Sequence, residues 1–153
     1  MINQFEELMH ELAHKFSIPL KPLIAGLCTF SIEGKLSVQL KLDKTEKMLF
    51  IGSFITEIAP GKFKENVFTQ TLKANSQIPN IGWFAFNEKN SNLFLYEFIP
   101  MQDLTIKPLF NFFAAFVDKA MHWKKAIEAG QNAPLDFLRE TELFKPSPFN
   151  LKP

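Results

Sequence analysis

The sequence predicts an α+β fold, an antiparallel sheet with helices packed on it. Three observations carry this reading. Apolar residues recur at intervals of three and four in long segments near either end. In shorter segments between them they alternate or run continuously. The segments also fall in runs (helix, three strands, helix, two strands, helix) rather than in strict alternation. At 153 residues the chain has the length of one ordinary domain and can bury roughly 70% of its unfolded surface.

The first helix is predicted over residues 2 to 16, where Ile2, Phe5, Leu8, Met9, Leu12 and Phe16 share one face. Pro19 and Pro22 stop it. Leu27 to Ile32 reads as a short strand that turns at Glu33-Gly34, a pair suited to positive backbone angles. In the returning strand, Leu36, Val38, Leu40 and Leu42 alternate with Ser37, Gln39 and Lys41, the period of a sheet with one face on a core. After the polar turn Asp43 to Glu46, Met48 to Ile55 is nearly continuous in apolar residues, which predicts a central or interface strand covered on both faces. Pro60-Gly61 breaks the chain, and Phe63, Val67, Phe68 and Leu72 mark a second helix over 62 to 75. Ile81 to Phe86 and Asn92 to Ile99 form a second hairpin around Asn87-Glu88-Lys89-Asn90. Leu109, Phe113, Phe116, Ala120, Trp123 and Ile127 step by four and three through a third helix, about 106 to 128, with Pro108 in its first turn and Gly130 as its C-cap. Residues 1–130 are therefore read as one domain. Residues 131–153, punctuated by Pro134, Pro146, Pro148 and Pro153, are read as a C-terminal extension.

Composition narrows the function classes. With 46% hydrophobic and 22% charged residues, the chain is globular rather than disordered. Its 17 Lys and Arg against 16 Asp and Glu create no field that would draw it to nucleic acid or anionic lipid. The start Met-Ile-Asn-Gln-Phe-Glu-Glu lacks the basic and apolar regions of a secretory leader, and no apolar run approaches about 20 residues, so neither export nor membrane insertion is expected. Cys28 is the single cysteine, set among apolar neighbours, and reads as a buried thiol in a reducing compartment. The 18 Phe against one Tyr exceed what a small core needs, so some are expected at an interface. In the second hairpin, Ile81, Trp83 and Ala85 lie on one face and Phe84 and Phe86 on the other. One of those faces is expected to meet another protein surface.

The sharpest chemical pattern is His10-Glu11-Leu12-Ala13-His14, which matches the H-E-x-x-H signature of zinc hydrolases. At about 100° per residue, His10 and His14 fall opposite the apolar face of the first helix. The following residues supply no third histidine, and nothing upstream could build a substrate sheet, so the match is read as coincidental. Cys28 with His122 as base is set aside because a lone cysteine in an apolar strand is ordinarily a core residue. Lysines 62, 64, 73, 119, 124 and 125 are diluted by Glu65, Asp118 and Glu128 and read as solvated helix faces. The aromatic run Trp83, Phe84, Phe86, Phe94, Tyr96 and Phe98 lacks the basic groove that single-strand binding requires.

Several local phrases then stand in order: Phe5-x-x-Leu8 with Leu12; Ile32-Glu33-Gly34-Lys35-Leu36-Ser37-Val38-Gln39-Leu40; Leu72-Lys73-Ala74-Asn75; the Gly82 hairpin; Ile99-Pro100-Met101-Gln102-Asp103-Leu104; and Phe116-Val117-x-x-Ala120-x-x-Trp123. Together they resemble the class I, Tir-chaperone-like family of type III secretion chaperones over residues 1 to about 129. The resemblance implies an α-β-β-β-α-β-β-α protomer in the bacterial cytoplasm. It also implies a homodimer, or a pairing with a sister chaperone, built around the second helix and the strand after it. An effector's N-terminal segment would wrap around that dimer in extended form, with no catalysis and no cofactor. On this sequence the implied dimer surface is Phe68, Leu72, Trp83, Phe84 and Phe86. The implied effector patch, between the first helix and the sheet, is Leu12, Phe16, Leu20, Leu40, Leu49 and Ile51. One departure is charge, since members are usually acidic and this chain has a pI of about 7.8. The residues alone leave other readings open: a carrier whose Phe residues line a small hydrophobic-ligand pocket, the zinc hydrolase, and a structural subunit of another complex.

Overall fold

A computed structural model describes residues 3–19 and 26–143. Asn3 opens helix α1 (Gln4–Lys15): its side-chain oxygen accepts the Glu6 N–H at 2.8 Å, satisfying one of the free donors of the first turn. Gln4 then donates to the carbonyls of Met101 and Leu104 at 3.0 and 3.1 Å, fixing this end of the helix against a distant connection. Strands β1 (Leu27–Ile32), β2 (Leu36–Leu42) and β3 (Met48–Glu57) follow as an antiparallel meander. Glu33 and Gly34, at φ 53° and 67°, make the two-residue turn whose twist suits a hairpin. In the next turn the Asp43 carboxylate accepts the Lys47 and Met48 N–H groups and the Thr45 hydroxyl, and the Thr45 bond leads in holding its pKa below the usual value. Helix α2 (Lys62–Asn75), strands β4 (Trp83–Asn87) and β5 (Asn92–Pro100), and helices α3 (Ile106–Glu128) and α4 (Leu135–Leu143) complete the chain.

The five strands form one antiparallel sheet in the order β1-β2-β3-β5-β4. Its inner face presents Phe30, Val38, Leu40, Leu49, Ile51 and Leu95 to α1 and α3, which bury Phe5, Leu8, Met9 and Leu12 from one side and Leu109, Phe113, Phe116 and Ala120 from the other. Each of these larger side chains contributes about 1.5–3 kcal/mol by leaving water. A bulge in β3 between Phe54 and Thr56 leaves the Ile55 carbonyl to Lys124 of α3, whose ammonium donates to it at 3.1 Å.

Most of the predicted elements are present at or near the predicted bounds, and three points differ. The second hairpin starts at Trp83 rather than Ile81, because Gly82 sits at φ 74° and the Ile81 carbonyl is taken by the Lys119 ammonium at 2.7 Å instead of a strand partner. β3 is central as expected, but within the protomer the described helices cover only one of its faces: on the other Phe50 is half-buried and Phe54 is 46% exposed. The extension contains a helix, α4. Its Pro134, read from sequence as punctuation, stands at the start of this helix and its carbonyl accepts the Leu138 N–H at 3.0 Å; a proline there sacrifices no helical bond. Residues 144–153 of the extension lie outside the described residues.

Candidate functional site

Among the described residues the helices cover one sheet face only, and the β3–β5–β4 half of the other face is aromatic. Phe50, Phe94 and Tyr96 lie nearly parallel, with ring centroids 6.0–6.4 Å apart and interplanar angles of 18–22°. Phe54 packs on Phe94 at 4.9 Å and Phe98 on Phe50 at 5.3 Å, while Trp83 stands opposite Tyr96 and donates its indole N–H to Glu97 at 3.0 Å. Phe54, Phe98 and Trp83 are 46%, 50% and 42% exposed. Gly52 makes the stack possible: a Cβ there would lie 2.5 Å from the Phe50 ring and 2.8 Å from Phe94. The β1–β2 half of the same face, with Thr29, Ser31, Gln39 and Lys41 in its register, is polar. A contiguous apolar patch rimmed by polar residues is the kind of surface that meets another macromolecule.

The implied dimer surface is divided by the structure. Leu72 of α2 is 68% exposed and Trp83 lies on the open face. Phe68 and Phe86 are half-buried against each other at 5.0 Å, with the Lys64 ammonium above both rings. Phe84 does not belong to such a surface. Strand alternation turns it to the inner face, where it is nearly buried and packs at 4.6 Å on Trp123. Its backbone is also occupied: the Phe84 N–H donates to the Asn75 side chain at 2.8 Å, and the Asn75 amide donates back to the Phe84 carbonyl at 3.0 Å. Ile78, 96% exposed between α2 and β4, adds an apolar residue to this edge that pattern reading missed, because an isolated Ile in a loop has no periodicity.

The implied effector patch is corrected more deeply. Leu12, Leu40, Leu49 and Ile51 are sealed between α1, α3 and the sheet, so they form the core and no open patch. Leu20 lies outside the described residues. Phe16 alone is partly accessible, lying 5.0 Å from both Phe110 and Phe113 at the end of α1. Beside it runs a stripe missed at the sequence level, Phe110, Ala114, Val117 and Met121 of α3, all half-buried. The signal was present, for these positions step by four and three one residue after the core positions 109, 113, 116 and 120. Phe110 meets α1 through Phe16, and Met121 borders a hollow of about 600 Å³ with Glu33 and Lys35 of the β1–β2 turn. β1 itself, among the described residues, pairs only with β2.

His10 and His14 are exposed on the outer side of α1, as their spacing predicts, and among the described residues no three His, Cys, Asp or Glu side chains converge. Cys28 is buried, which pushes its thiol pKa up to about 11, while His122 is exposed and bonded at 2.7 Å to the Asp118 carbonyl; the two do not form a nucleophile pair. Among the described residues no helix is long and apolar enough to cross a membrane.

A family model, Tir chaperone protein (CesT) family, matches residues 7–124, which run from α1 through most of α3. The chain belongs to this family. The mixed fold described above is that of solved type III secretion chaperones. A chain of the HopA1–SchA chaperone–effector complex is 18% identical and aligns with a TM-score of 0.61 over 80% of this chain and 94% of that one. A chain of the ExsC–ExsE complex matches at 18% identity and a TM-score of 0.61, over 81% of this chain and 96% of that one. A chain of the complex of the Yersinia pestis type III secretion chaperone SycH with a stable fragment of YscM2 matches at 18% identity and a TM-score of 0.57, over 76% of this chain and 97% of that one. No curated protein matches the chain. CesT-family membership and this fold are those of type III secretion effector chaperones rather than of enzymes.

Proposed function

We propose that this CesT-family chain is a cytoplasmic dimer that holds the N-terminal segment of one or more effectors in extended form, keeping them soluble and competent for secretion. The observation that carries the reading is a sheet with large apolar side chains on both faces and helices on only one. Trp83 and the aromatic stack of β3 and β5, with Leu72 and Phe68 of α2, are assigned to the second copy. The effector is assigned to the opposite side of the protomer, where the β1 edge adjoins Phe16, Phe110, Val117 and Met121. An extended segment added to β1 gains affinity from main-chain pairing, and the half-buried side chains of α3 set its register. The client's ordering entropy is lost on binding, which keeps affinity moderate and release accessible. The small-ligand carrier is not favoured, because a hollow of about 750 Å³ beside the β2–β3 turn is an open groove in which Lys41, Asp43, Lys44 and Glu46 stand beside Leu42, Phe50 and Phe98, and not an enclosed apolar pocket.

The test is co-purification of the full chain with effector N-terminal segments of about 100 residues, a span long enough to wrap a dimer in extended form, with mass read by light scattering. A dimer that gains one client chain without added metal or nucleotide is the expected result. A monomer that ignores every segment and retains a lipid or zinc overturns it.

A further inference from the structure

We propose that α4 is a clasp that sets the position of β4 and α2, and that self-association therefore depends on Phe137; this rests on the assignment of that edge to the second copy. The argument is an unbroken run of packed groups. Phe137 is nearly buried and its ring lies 5.2 Å from Trp123 of α3. Trp123 in turn meets Phe84 of β4 at 4.6 Å, and the Phe84 backbone is bonded in both directions by Asn75 of α2. One helical turn before Trp123, Lys119 donates to Asn80 Oδ1 at 3.1 Å and to the Ile81 carbonyl at 2.7 Å, which holds the segment leading into β4, and its ammonium lies 5.0 Å from the Phe84 ring. Lys119, Trp123 and Phe137 all border the hollows of about 180 and 240 Å³ beside α4, so Phe137 is the side chain that wedges this seam.

A strand alternates its side chains between faces, so Phe84 on the inner face and Trp83 and Ala85 on the open face move as one piece of backbone. Close-packed interiors transmit such displacements rather than absorbing them. Removing Phe137 takes away one of the two rings that pack on Trp123, and the freedom this creates is delivered through Phe84 to β4 and to the Asn75 bonds. The family match ends at residue 124, before α4 begins. The hinge is equally local: Gly130, at φ 83°, closes α3 and Gln131 donates back to the Ala126 carbonyl at 2.9 Å, which turns the chain toward Trp123.

The experiment compares the full chain with Phe137→Ala, with Phe137→Leu as the conservative rescue, and with Glu140→Pro, which breaks α4 from an exposed position without altering the core. Far-UV circular dichroism checks the fold, sedimentation equilibrium reads the dimer, and hydrogen exchange reads β4 and the end of α2. The expected result is a dimer dissociation constant raised about tenfold or more in Phe137→Ala and Glu140→Pro, faster exchange confined to β4 and α2, and substantial recovery in Phe137→Leu. A dimer of unchanged affinity with unchanged exchange in β4 overturns the clasp. If the unaltered chain is a monomer, the self-association reading fails and the clasp is judged by exchange alone: faster exchange in β4 sustains α4 as the support of that edge, and unchanged exchange overturns it.

Discussion

At the β4 edge of the sheet, Asn75 fills both hydrogen-bonding positions of Phe84, α2 lies alongside, and α4 closes the seam behind through Phe137 and Trp123. At the β1 edge nothing comparable is built among the described residues: β1 pairs with β2 alone, and the neighbouring flank of α3 leaves Phe110, Val117 and Met121 half-buried. An unpaired edge is a template for another strand, and natural sheets ordinarily blunt it. Among the described residues, one edge here is blunted by side chain, helix and α4, and the other carries no such cover. On the proposed assignment, the difference teaches how a small chain could hold two protein partners apart: the blunted edge would hold a rigid aromatic face against a second copy, while the β1 edge would take a segment that has no fold of its own.

The largest expected effect is at the open edge. Val117→Asp with Met121→Asp places two charges along the α3 flank beside β1, and client affinity is expected to fall about 100-fold or more, equivalent to about 2.7 kcal/mol, with the dimer unchanged. Titration calorimetry against a captured client segment checks it, and equal loss of dimer would show that the two edges are not separate. Next, Asn75→Ala removes both bonds to Phe84 and leaves a partly buried N–H and C=O unsatisfied, which costs about 2 kcal/mol of stability and lowers the urea midpoint. If the midpoint does not move, the β4 edge is not held by this residue. Gly52→Ala forces the Phe50 and Phe94 rings apart on the open face; since those rings can swing into solvent, about 1 kcal/mol of association is expected to be lost with little change in melting. Sedimentation of the dimer decides it.

The smallest effect is in pH. Burial holds the Lys119 ammonium, which ties the lead-in of β4, down to about 8 from the ordinary 10.5, with Glu97 opposing. The unfolded chain binds that proton more tightly, so stability rises as pH climbs from about 8 towards 10.5. Cys28 acts in the other direction: its folded thiol, raised by burial from 9.0 to about 11, keeps a proton that the unfolded chain has lost, so stability falls across that interval. Thermal melts are expected to show the Lys119 rise begin below pH 9.0 and the Cys28 loss set in above it. Lys119→Met flattens the first limb and Cys28→Ala removes the second. A rise that persists in Lys119→Met belongs to another group.

How much was legible in the sequence depended on whether a signal was local. The helix over 62–75 and the strand Leu36–Leu42 were read to the residue, because periodicity, a Pro-Gly break and a turn pair are properties of neighbours along the chain. The two-residue turn at Glu33-Gly34 and the Gly130 cap followed from backbone freedom at single residues. Sequence also placed His10 and His14 on the outer face of α1. Trp83 and Leu72, which the family resemblance implies for the dimer surface, are exposed in the protomer.

Sequence could not separate apolar residues that fill a core from those that cover its outside, since both have the same period. Leu12, Leu40, Leu49 and Ile51 share the chemistry of Phe54 and Phe98, and only the placement of α3 over one sheet face buries the first group and leaves the second in water. The strand order, with β5 inserted between β3 and β4, is likewise a long-range choice that brings Phe50, Phe94 and Tyr96 together from separate strands. So is the seat of α4, whose nine residues have too little period to announce a helix and are held by Trp123. The sequence by itself determined the helices and strands of the first 128 residues, to within a few residues at their ends, and the family they resemble, because those are decided by neighbours along the chain. The tertiary structure decided which apolar surface is core and which is exposed, and which sheet edge is blunted among the described residues, because burial is decided by what lies across space.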